Sequence, residues 1–268
     1  MRTHFLSDMT FEEAEEAFRQ TDTAFVPMGA VEAHGPHGII GTDHFAADEV
    51  ARRAAAKCNA VSLPAVPYGY CESTMDFPGT ISLSPQTSCA VLEDVARSLH
   101  SWGVRRIIWI TGHGPNAPVM KQVSLKLRRE LGMLFAIPLW YRLAIALLPK
   151  YDLGPDHGGF TETSVAMACR PGNANLDRAE GGCEIRDIGH GFDSTGKYEI
   201  VFDGAGVEIP LMMRERWPLG YWDTSKPAAE ASEEAGEEIL EVVTDYLGRF
   251  ATAFQRLPLE RVLSDGGR

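Results

Sequence analysis

The chain has 268 residues, of which 44% are hydrophobic and 23% are charged, a composition typical of a globular protein with a sizeable core. Its net charge of −12 argues against binding to nucleic acid or to an anionic membrane, because both depend on clustered lysine and arginine. The five cysteines form no CxxC pair, and their odd number favours reduced thiols in a cytoplasmic protein over a disulfide framework. The same spacing argues against cysteine as a metal ligand.

Two stretches that could suggest membrane targeting or insertion, residues 1–18 and residues 131–148, favour neither. Residues 1–18 lack the apolar core of a signal peptide. The apolar stretch 131–148 is interrupted by Pro138 and Arg142, so it predicts a buried strand followed by a short amphipathic helix. No linker, repeat or low-complexity segment interrupts the chain, and we expect a single domain over residues 1–268.

Strand and helix signals alternate through the first half of the chain. Thr10 and Glu13 have capping-box spacing, and Ser84 followed by Pro85 marks a second helix start that leads to a helix ending near residue 102. The other predicted helices span 44–57 and 117–131, and the predicted strands are 23–28, 61–66, 106–111 and 133–139. This alternation predicts a mostly parallel sheet with helices on both faces.

The second half of the chain has fewer regular patterns. A helix is predicted from Thr161, and residues 173–218 are expected to include a hairpin near 197–207 and to cover the site or form an oligomer contact. Residues 227–254 form a predicted amphipathic helix. Its predicted inward stripe is Ile239, Val242, Val243, Tyr246, Leu247 and Phe250. The tail 264–268 is expected to fray.

The stretch around which the chain is organised is residues 26–43, VPMGAVEAHGPHGIIGTD. It places Glu32, His34 and Asp43 on a glycine-rich loop that leaves an apolar strand. Carboxylate and imidazole are ligands that zinc and manganese accept. Glu32 and His34 are two residues apart, so on an extended backbone both side chains point to the same face.

Two further groups of polar residues follow predicted elements. His113 lies just beyond the strand 106–111, and sites in parallel sheets form at the carboxyl ends of strands. The third group is Asp156, His157 and Glu162. Glu162 lies in the first turn of its predicted helix, where backbone N–H groups favour an anion. It is therefore either a site residue or a helix-start carboxylate.

These residues carry a resemblance to the creatininase-like amidohydrolases. Four segments match the family's motifs in order: VPMGAVEAHGPHGIIGTD at 26–43, FPGTISL at 77–83, ITGHGPN at 110–116 and DHGGFTETS at 156–164. The resemblance implies a three-layer fold and two divalent metal ions, zinc or manganese. Residues beyond about 171 carry no matching motif.

The resemblance also implies roles for individual residues. Glu32 and His113 hold one metal, His34 holds the other, and Asp43 bridges the two. Creatininase itself has a glutamate two residues after the histidine matched by His113. This chain has Pro115 there, so Glu162 is the implied remaining carboxylate ligand.

His157 matches the family's catalytic histidine. We expect it to carry a proton, with its tautomer fixed by Asp156 or by a neighbouring backbone carbonyl. Asn116, Trp140 and Tyr141 are predicted to contact the substrate.

The predicted function is hydrolysis of a C–N bond in an amide or cyclic amide of a small polar substrate. One alternative is hydrolysis of a keto-sugar or keto-inositol ring, or deformylation of a formamide, at the same two-metal site. Another is a catalytically silent, metal-stabilised scaffold. The resemblance also implies a homo-oligomer, for example a hexamer. Pro115, and Thr74 where relatives often place a histidine, argue against strict creatininase activity.

Overall fold

The structure, a computed structural model, describes residues 1–179, 193–194, 199–223 and 226–260. Its main sheet has four parallel strands in the spatial order β2-β1-β3-β4. The strands are β1 (Thr23–Met28), β2 (Val61–Ser62), β3 (Arg106–Thr111) and β4 (Leu134–Ala136). The central pair is in register over its full length, from Thr23 opposite Arg106 to Met28 opposite Thr111.

Helices cover both faces of this sheet, which confirms the predicted three-layer α/β/α fold. They are α1 (Phe11–Gln20), α2 (Thr42–Ala56), α3 (Pro85–Ser101), α4 (Asn116–Leu131), α5 (Trp140–Leu147), α6 (Phe160–Cys169), α7 (Met213–Arg216) and α8 (Glu233–Phe254). The predicted caps are present: the Thr10 and Ser84 hydroxyls accept hydrogen bonds from the first turns of α1 and α3.

The alternation of side chains along β1 and β3 divides the core in two. Phe25, Ile108 and Ile110 point to the face covered by α2, α5, α6 and α8. Val26 and Trp109 point to the opposite face, against α1, α3 and α4. Because both faces are covered, the two strands are buried at every position and read in sequence as continuous apolar runs.

Three predicted elements are shorter in the structure. The strand predicted at 61–66 ends at Ser62, since Pro64 follows and has no N–H for the ladder, and pairing resumes only as an isolated bridge at Val66. The strand predicted at 133–139 reduces to Leu134–Ala136, ahead of Pro138. The helix predicted from 227 begins at Glu233, where the Ser232 hydroxyl provides the cap.

The second half contains a three-stranded antiparallel sheet, β5 (Asp193–Ser194), β6 (Glu199–Phe202) and β7 (Ala205–Glu208). The described part of the predicted hairpin near 197–207 is the β6–β7 pair. Asp203 and Gly204 form its two-residue turn and both have positive φ, as this tight hairpin turn requires. The predicted frayed tail lies outside the described residues.

The strand order reverses direction between β1 and β3. The chain leaves β1 towards one edge of the sheet and leaves β3 towards the other edge, so a crevice opens between their carboxyl ends. The loops that carry Glu32 and His113 begin there. Within the described part of the chain, no helix combines the length and the apolar composition that a membrane crossing needs.

Two glycines bring the first turn of α2 against this crevice. A Cβ atom on Gly112 would lie 1.9 Å from the backbone oxygen of Asp43, and one on Gly29 would lie 2.4 Å from the Cα atom of His44. A side chain at either position would therefore displace the turn that carries Asp43.

We expect Gly112→Ala to destabilise the protein by about 1–3 kcal/mol, because the backbone oxygen of Asp43 must move to make room. The variant should also bind metal more weakly than the unmodified protein. Denaturant unfolding and metal analysis measure the two effects. Gly114→Ala is the matched control, since its Cβ would meet only the Tyr141 hydroxyl, at 3.3 Å. Equal stability and equal metal binding of the two variants would contradict the explanation that Gly112 is needed for its close approach to the backbone oxygen of Asp43.

Candidate metal centre

Six buried side chains meet at the carboxyl ends of β1 and β3. They come from the loop after β1, the start of α2, the loop after β3, and the segment that enters α6. Their exposed fractions range from 0% to 7%. They are Glu32, His34, Asp43, His113, His157 and Glu162. The structure thus brings together all five predicted metal ligands and the predicted catalytic histidine.

His113 faces two of the carboxylates. Its Nδ1 atom lies 2.8 Å from Glu32 Oε1 and 3.2 Å from Asp43 Oδ2. Its other ring nitrogen, Nε2, lies 2.8 Å from the backbone oxygen of Tyr70. That carbonyl accepts a hydrogen bond from Nε2–H, which leaves Nδ1 as the nitrogen available to a metal ion.

His34 makes the corresponding arrangement on the other side of Asp43. Its Nε2 atom lies 3.1 Å from Asp43 Oδ1 and 3.5 Å from Glu162 Oε2. Its Nδ1 atom lies 3.0 Å from the backbone oxygen of Glu32, so Nδ1–H has an acceptor and Nε2 faces the carboxylates. The two oxygens of Asp43 therefore point to different histidines.

His157 lies over the centre, with its ring stacked between those of His34 and Trp222 at centroid distances of 4.4 and 5.0 Å. Its Nε2 atom lies 2.8 Å from the backbone oxygen of Ala33. Its Nδ1 atom lies 3.9 Å from Glu32 Oε1 and 4.0 Å from Glu162 Oε2. The ring thus directs Nδ1 towards the space between the carboxylates.

The donor atoms fit divalent cations. Neighbouring ligands of a tetrahedral zinc ion lie about 3.4 Å apart when each bond is about 2.1 Å, close to the spacing of the carboxylate–imidazole pairs here. Glu32 Oε1 and Asp43 Oδ2 are buried and accept no hydrogen bond from any described residue. A buried carboxylate oxygen without a donor is costly unless a cation neutralises it.

In the metal-free protein, protons take the place of cations. Burial raises the pKa of the Glu162 carboxyl to about 8. Burial alone would lower the pKa of His34, but the Asp43 carboxylate outweighs it and raises that pKa to about 10. Burial would also lower the pKa of His113, but Glu32 raises it well above its ordinary value. With neutral imidazoles, the three carboxylates would give the centre an excess of negative charge, which protons or metal ions can neutralise.

These shifts predict a pH-dependent effect of metal. Between about pH 6.5, the ordinary pKa of histidine, and about pH 8, the raised pKa of Glu162, the folded protein without metal keeps protons on Glu162 and His34 that the unfolded chain loses, so its stability falls as pH rises. A metal ion must displace the same protons, so metal binding strengthens over that range. We expect the gap in melting temperature between zinc-loaded and chelator-treated protein to widen with pH. A constant or narrowing gap would contradict the protonated metal-free centre.

Asp156 lies beside His157 in sequence but has a different partner. Its Oδ2 atom accepts a hydrogen bond from the backbone N–H of Thr161, at 3.1 Å, at the start of α6. The contact that orients His157 comes from the backbone oxygen of Ala33. Of the two alternatives for fixing the tautomer, the contacts favour the backbone carbonyl, and Asp156 stabilises the first turn of α6.

The three predicted substrate contacts occupy different places. Both polar atoms of the Asn116 side chain bind backbone, with Nδ2 donating to Gly29 O and Oδ1 accepting from Tyr70 N. Trp140 is 1% exposed and belongs to the core. These placements favour a positioning role for Asn116 and a packing role for Trp140. Tyr141 alone of the three lines the cavity above the centre.

Three residues at the centre were not predicted to take part. The Thr74 hydroxyl donates to Glu32 Oε2 at 2.7 Å, although the sequence marked Thr74 only as a departure from relatives. Cys71 is fully buried beside Glu32 and His113. Trp222 reaches His157 through mutual backbone hydrogen bonds of 3.1 and 2.9 Å, from a region without a recognisable motif. This contact comes from a segment that follows residues 173–218, and the expectation that 173–218 cover the site or form an oligomer contact stays a prediction.

A cavity of about 460 Å³ opens onto this centre, within the range of small-molecule sites. Its wall includes Asp43, His113, Tyr141, Arg142, Asp156, His157, Glu162 and Trp222. It therefore combines site residues, aromatic side chains and one cationic group.

This fold and this centre are those of metal-binding α/β hydrolases. A family model described as "Creatininase: Creatinine amidohydrolase" matches residues 7–251, most of the chain. The chain belongs to the creatininase family, as the motifs predicted.

Relatives in this family have different named activities. The chain is 29% identical to the creatinine amidohydrolase of Pseudomonas putida over 259 residues, covering 89% of this chain and 92% of that protein. It is 31% identical to a mycofactocin precursor peptide peptidase of Mycobacterium tuberculosis, over 59% of this chain and 62% of that protein. A 3-dehydro-scyllo-inosose hydrolase of Thermotoga maritima is 24% identical, over 62% of this chain and 56% of that protein.

Solved structures agree with the fold. A crystal structure of creatinine amidohydrolase superposes with a TM-score of 0.78 and 26% identity, covering 96% of this chain and all of that chain. Other solved creatininases are described as a "Zn-Zn type" and as "Creatininase Mn".

Proposed function

We propose that this chain is a two-metal hydrolase that cleaves a C–N bond in an amide or cyclic amide of a small polar substrate. The observation that carries the proposal is the convergence of six buried donor groups, with paired oxygen and nitrogen atoms 2.8–4.0 Å apart. Three carboxylates in one buried place would repel one another unless cations were bound between them.

In this proposal the ligands form two sets that share Asp43. Glu32 and His113 form one set, and His34 and Glu162 form the other. Asp43 directs Oδ2 towards the first set and Oδ1 towards the second. Oxygen and imidazole donors suit zinc and manganese, the metals in the descriptions of solved relatives. We propose zinc, manganese or both as the bound ions.

Two divalent ions in such a centre supply an activated water and a polarised carbonyl group. His157 transfers the proton: its Nδ1 atom faces the centre, and its Nε2–H is held by the backbone oxygen of Ala33. Stacking against Trp222 fixes the plane of the ring. Asp156, predicted with His157 as catalytic, acts in this proposal through the first turn of α6.

The cavity wall limits the substrate. Tyr141 and Trp222 offer flat apolar surfaces, and Arg142 offers a cation for a polar or anionic substituent. We do not propose creatinine as the substrate. Pro115 cannot act as a ligand, and Thr74 supports Glu32 where relatives often have a histidine.

Hydrolysis of a ring ketone is the second candidate, because the same centre can polarise a ketone as well as an amide. The observation in its favour is the relative that is named a 3-dehydro-scyllo-inosose hydrolase. A formamide substrate would require only the amide hydrolysis proposed above, acting on a smaller acyl group.

The test is metal analysis combined with a substrate screen. We expect two equivalents of zinc or manganese per chain, and chelator-sensitive hydrolysis of small linear or cyclic amides. Turnover confined to ring ketones or to formamides would favour the respective alternative. Bound metal with no turnover on any of these classes would favour a metal-stabilised scaffold.

The homo-oligomer, with a hexamer as one possibility, and the cytoplasmic location stay predictions from the resemblance and the composition. Sedimentation velocity on the metal-loaded protein measures the first. Fractionation of the native host measures the second.

A further inference from the structure

Cys71 lies at the edge of the metal centre. Its side chain is fully buried, and its Sγ atom lies within 4.8 Å of a carboxylate oxygen of Glu32 and a ring nitrogen of His113. Its backbone is anchored on both sides: Ser82 Oγ accepts from its N–H at 2.9 Å, and its carbonyl accepts from the N–H of Thr74 at 3.0 Å. The backbone that carries the thiol is therefore held in place.

A second observation points to a ligand at the same spot. Glu32 Oε1 is buried, accepts no hydrogen bond from any described residue, and faces His113 Nδ1 at 2.8 Å. Its other oxygen, Oε2, is already occupied by the Thr74 hydroxyl, at 2.7 Å. The oxygen of Glu32 without a hydrogen bond is thus the one that faces the imidazole of His113.

The number of metal-ligand donors near Glu32 and His113 suggests that the Cys71 thiol is a further ligand. Glu32, His113 and one oxygen of Asp43 supply three donors on this side, and a structural zinc site closes with four protein ligands. Pro115, two residues after His113, has no side-chain donor. Cys71 is the further donor that lies within 4.8 Å of a carboxylate oxygen of Glu32 and a ring nitrogen of His113.

We infer that Cys71 is a metal ligand, completing a Glu32–Asp43–His113–Cys71 set for the first ion of the proposed two-metal centre. On binding, the thiol releases its proton to solvent and the thiolate donates an electron pair to the cation. This inference rests on the proposed function, because it assumes that the centre holds metal.

The consequence is a centre with two unlike halves. A thiolate favours zinc over manganese, so the Cys71 half is selective for the softer ion. That half would have four protein ligands, whereas His34, Asp43 and Glu162 would supply three. The half with three protein ligands would therefore be the one with room to hold and activate water.

The experiment uses the full-length protein loaded with cobalt(II), compared with Cys71→Ser. A cobalt ion bound by a thiolate has an intense near-ultraviolet charge-transfer absorption that oxygen and nitrogen ligands do not give. We expect this band in the unmodified protein and its loss in Cys71→Ser. Zinc X-ray absorption should likewise show a scatterer at about 2.3 Å, the Zn–S distance, that the variant lacks. The variant should bind its first zinc ion at least about 10-fold more weakly.

Cys58→Ser is the matched control, since Cys58 lies beyond the far end of α2 and contacts the backbone oxygen of Ala54. It should keep the charge-transfer band and the zinc affinity of the unmodified protein. Two bound cobalt ions without a thiolate band would overturn the inference and leave the two-metal centre standing. Failure of the unmodified protein to bind cobalt or zinc at all would overturn both.

Discussion

Replacement of His157 with alanine is expected to lower kcat about 10²- to 10⁴-fold, the range for loss of a positioned acid–base group. The reason is geometric: the backbone oxygen of Ala33 holds Nε2, so Nδ1 is directed between Glu32 and Glu162. Because His157 is outside the proposed ligand sets, the variant should retain two metal ions. Steady-state kinetics with metal analysis on the same sample measures both.

His157→Gln separates proton transfer from orientation. A glutamine amide can donate to the backbone oxygen of Ala33 but cannot exchange a proton near neutral pH. We expect it to be as inactive as His157→Ala and to lose the same limb of the pH–rate profile. Activity restored by glutamine would show that the histidine only supports the structure around it.

The second large effect is expected for Asp43→Asn. An amide offers one oxygen and no charge, so it cannot serve both His34 and His113 as the carboxylate does, at 3.1 and 3.2 Å. We expect metal content to fall below two equivalents. The loss of several kcal/mol of metal-derived stabilisation of the transition state corresponds to about 10³-fold in rate. Metal titration followed by kinetics at saturating metal checks both.

Glu49→Gln provides the control on the same helix. It removes the same charge, and Glu49 forms an i,i+4 pair with Arg53, away from the centre. Pairs of this kind contribute about 0.3–0.5 kcal/mol, so metal content and rate should be unchanged. The bridging role is wrong if Asp43→Asn binds two ions as tightly as this control.

Much of the centre could be predicted because its ligands follow strands directly. Glu32, His34 and His113 lie in loops that begin where β1 and β3 end, and parallel strands bring those ends together. Asp43 could be predicted for the same reason, since it begins the helix that follows the first loop. Glu162 required the family motif, because an acidic residue in the first turn of a helix is common without any site.

The features of the centre that could not be predicted depend on contacts between segments that are far apart in the chain. Cysteine spacing argued against a cysteine ligand, but Cys71 reaches the centre by itself on a loop that Ser82 anchors. Trp222 joins His157 by backbone pairing, which leaves no pattern in side-chain type. Asn116 lies in a motif that is typical of a site, yet both polar atoms of its amide are hydrogen-bonded to backbone groups.

Because Trp222 pairs with His157 from a separate segment, the cavity wall and the candidate metal ligands can change independently in evolution. Glu32, His34 and His113 come from loops that leave the sheet, whereas this part of the cavity wall comes from a segment held by backbone hydrogen bonds to His157. Substitutions in this part of the wall can reshape what fits the cavity without disturbing the ligands. A protein built in this way could accept a different substrate while keeping the same groups at its centre.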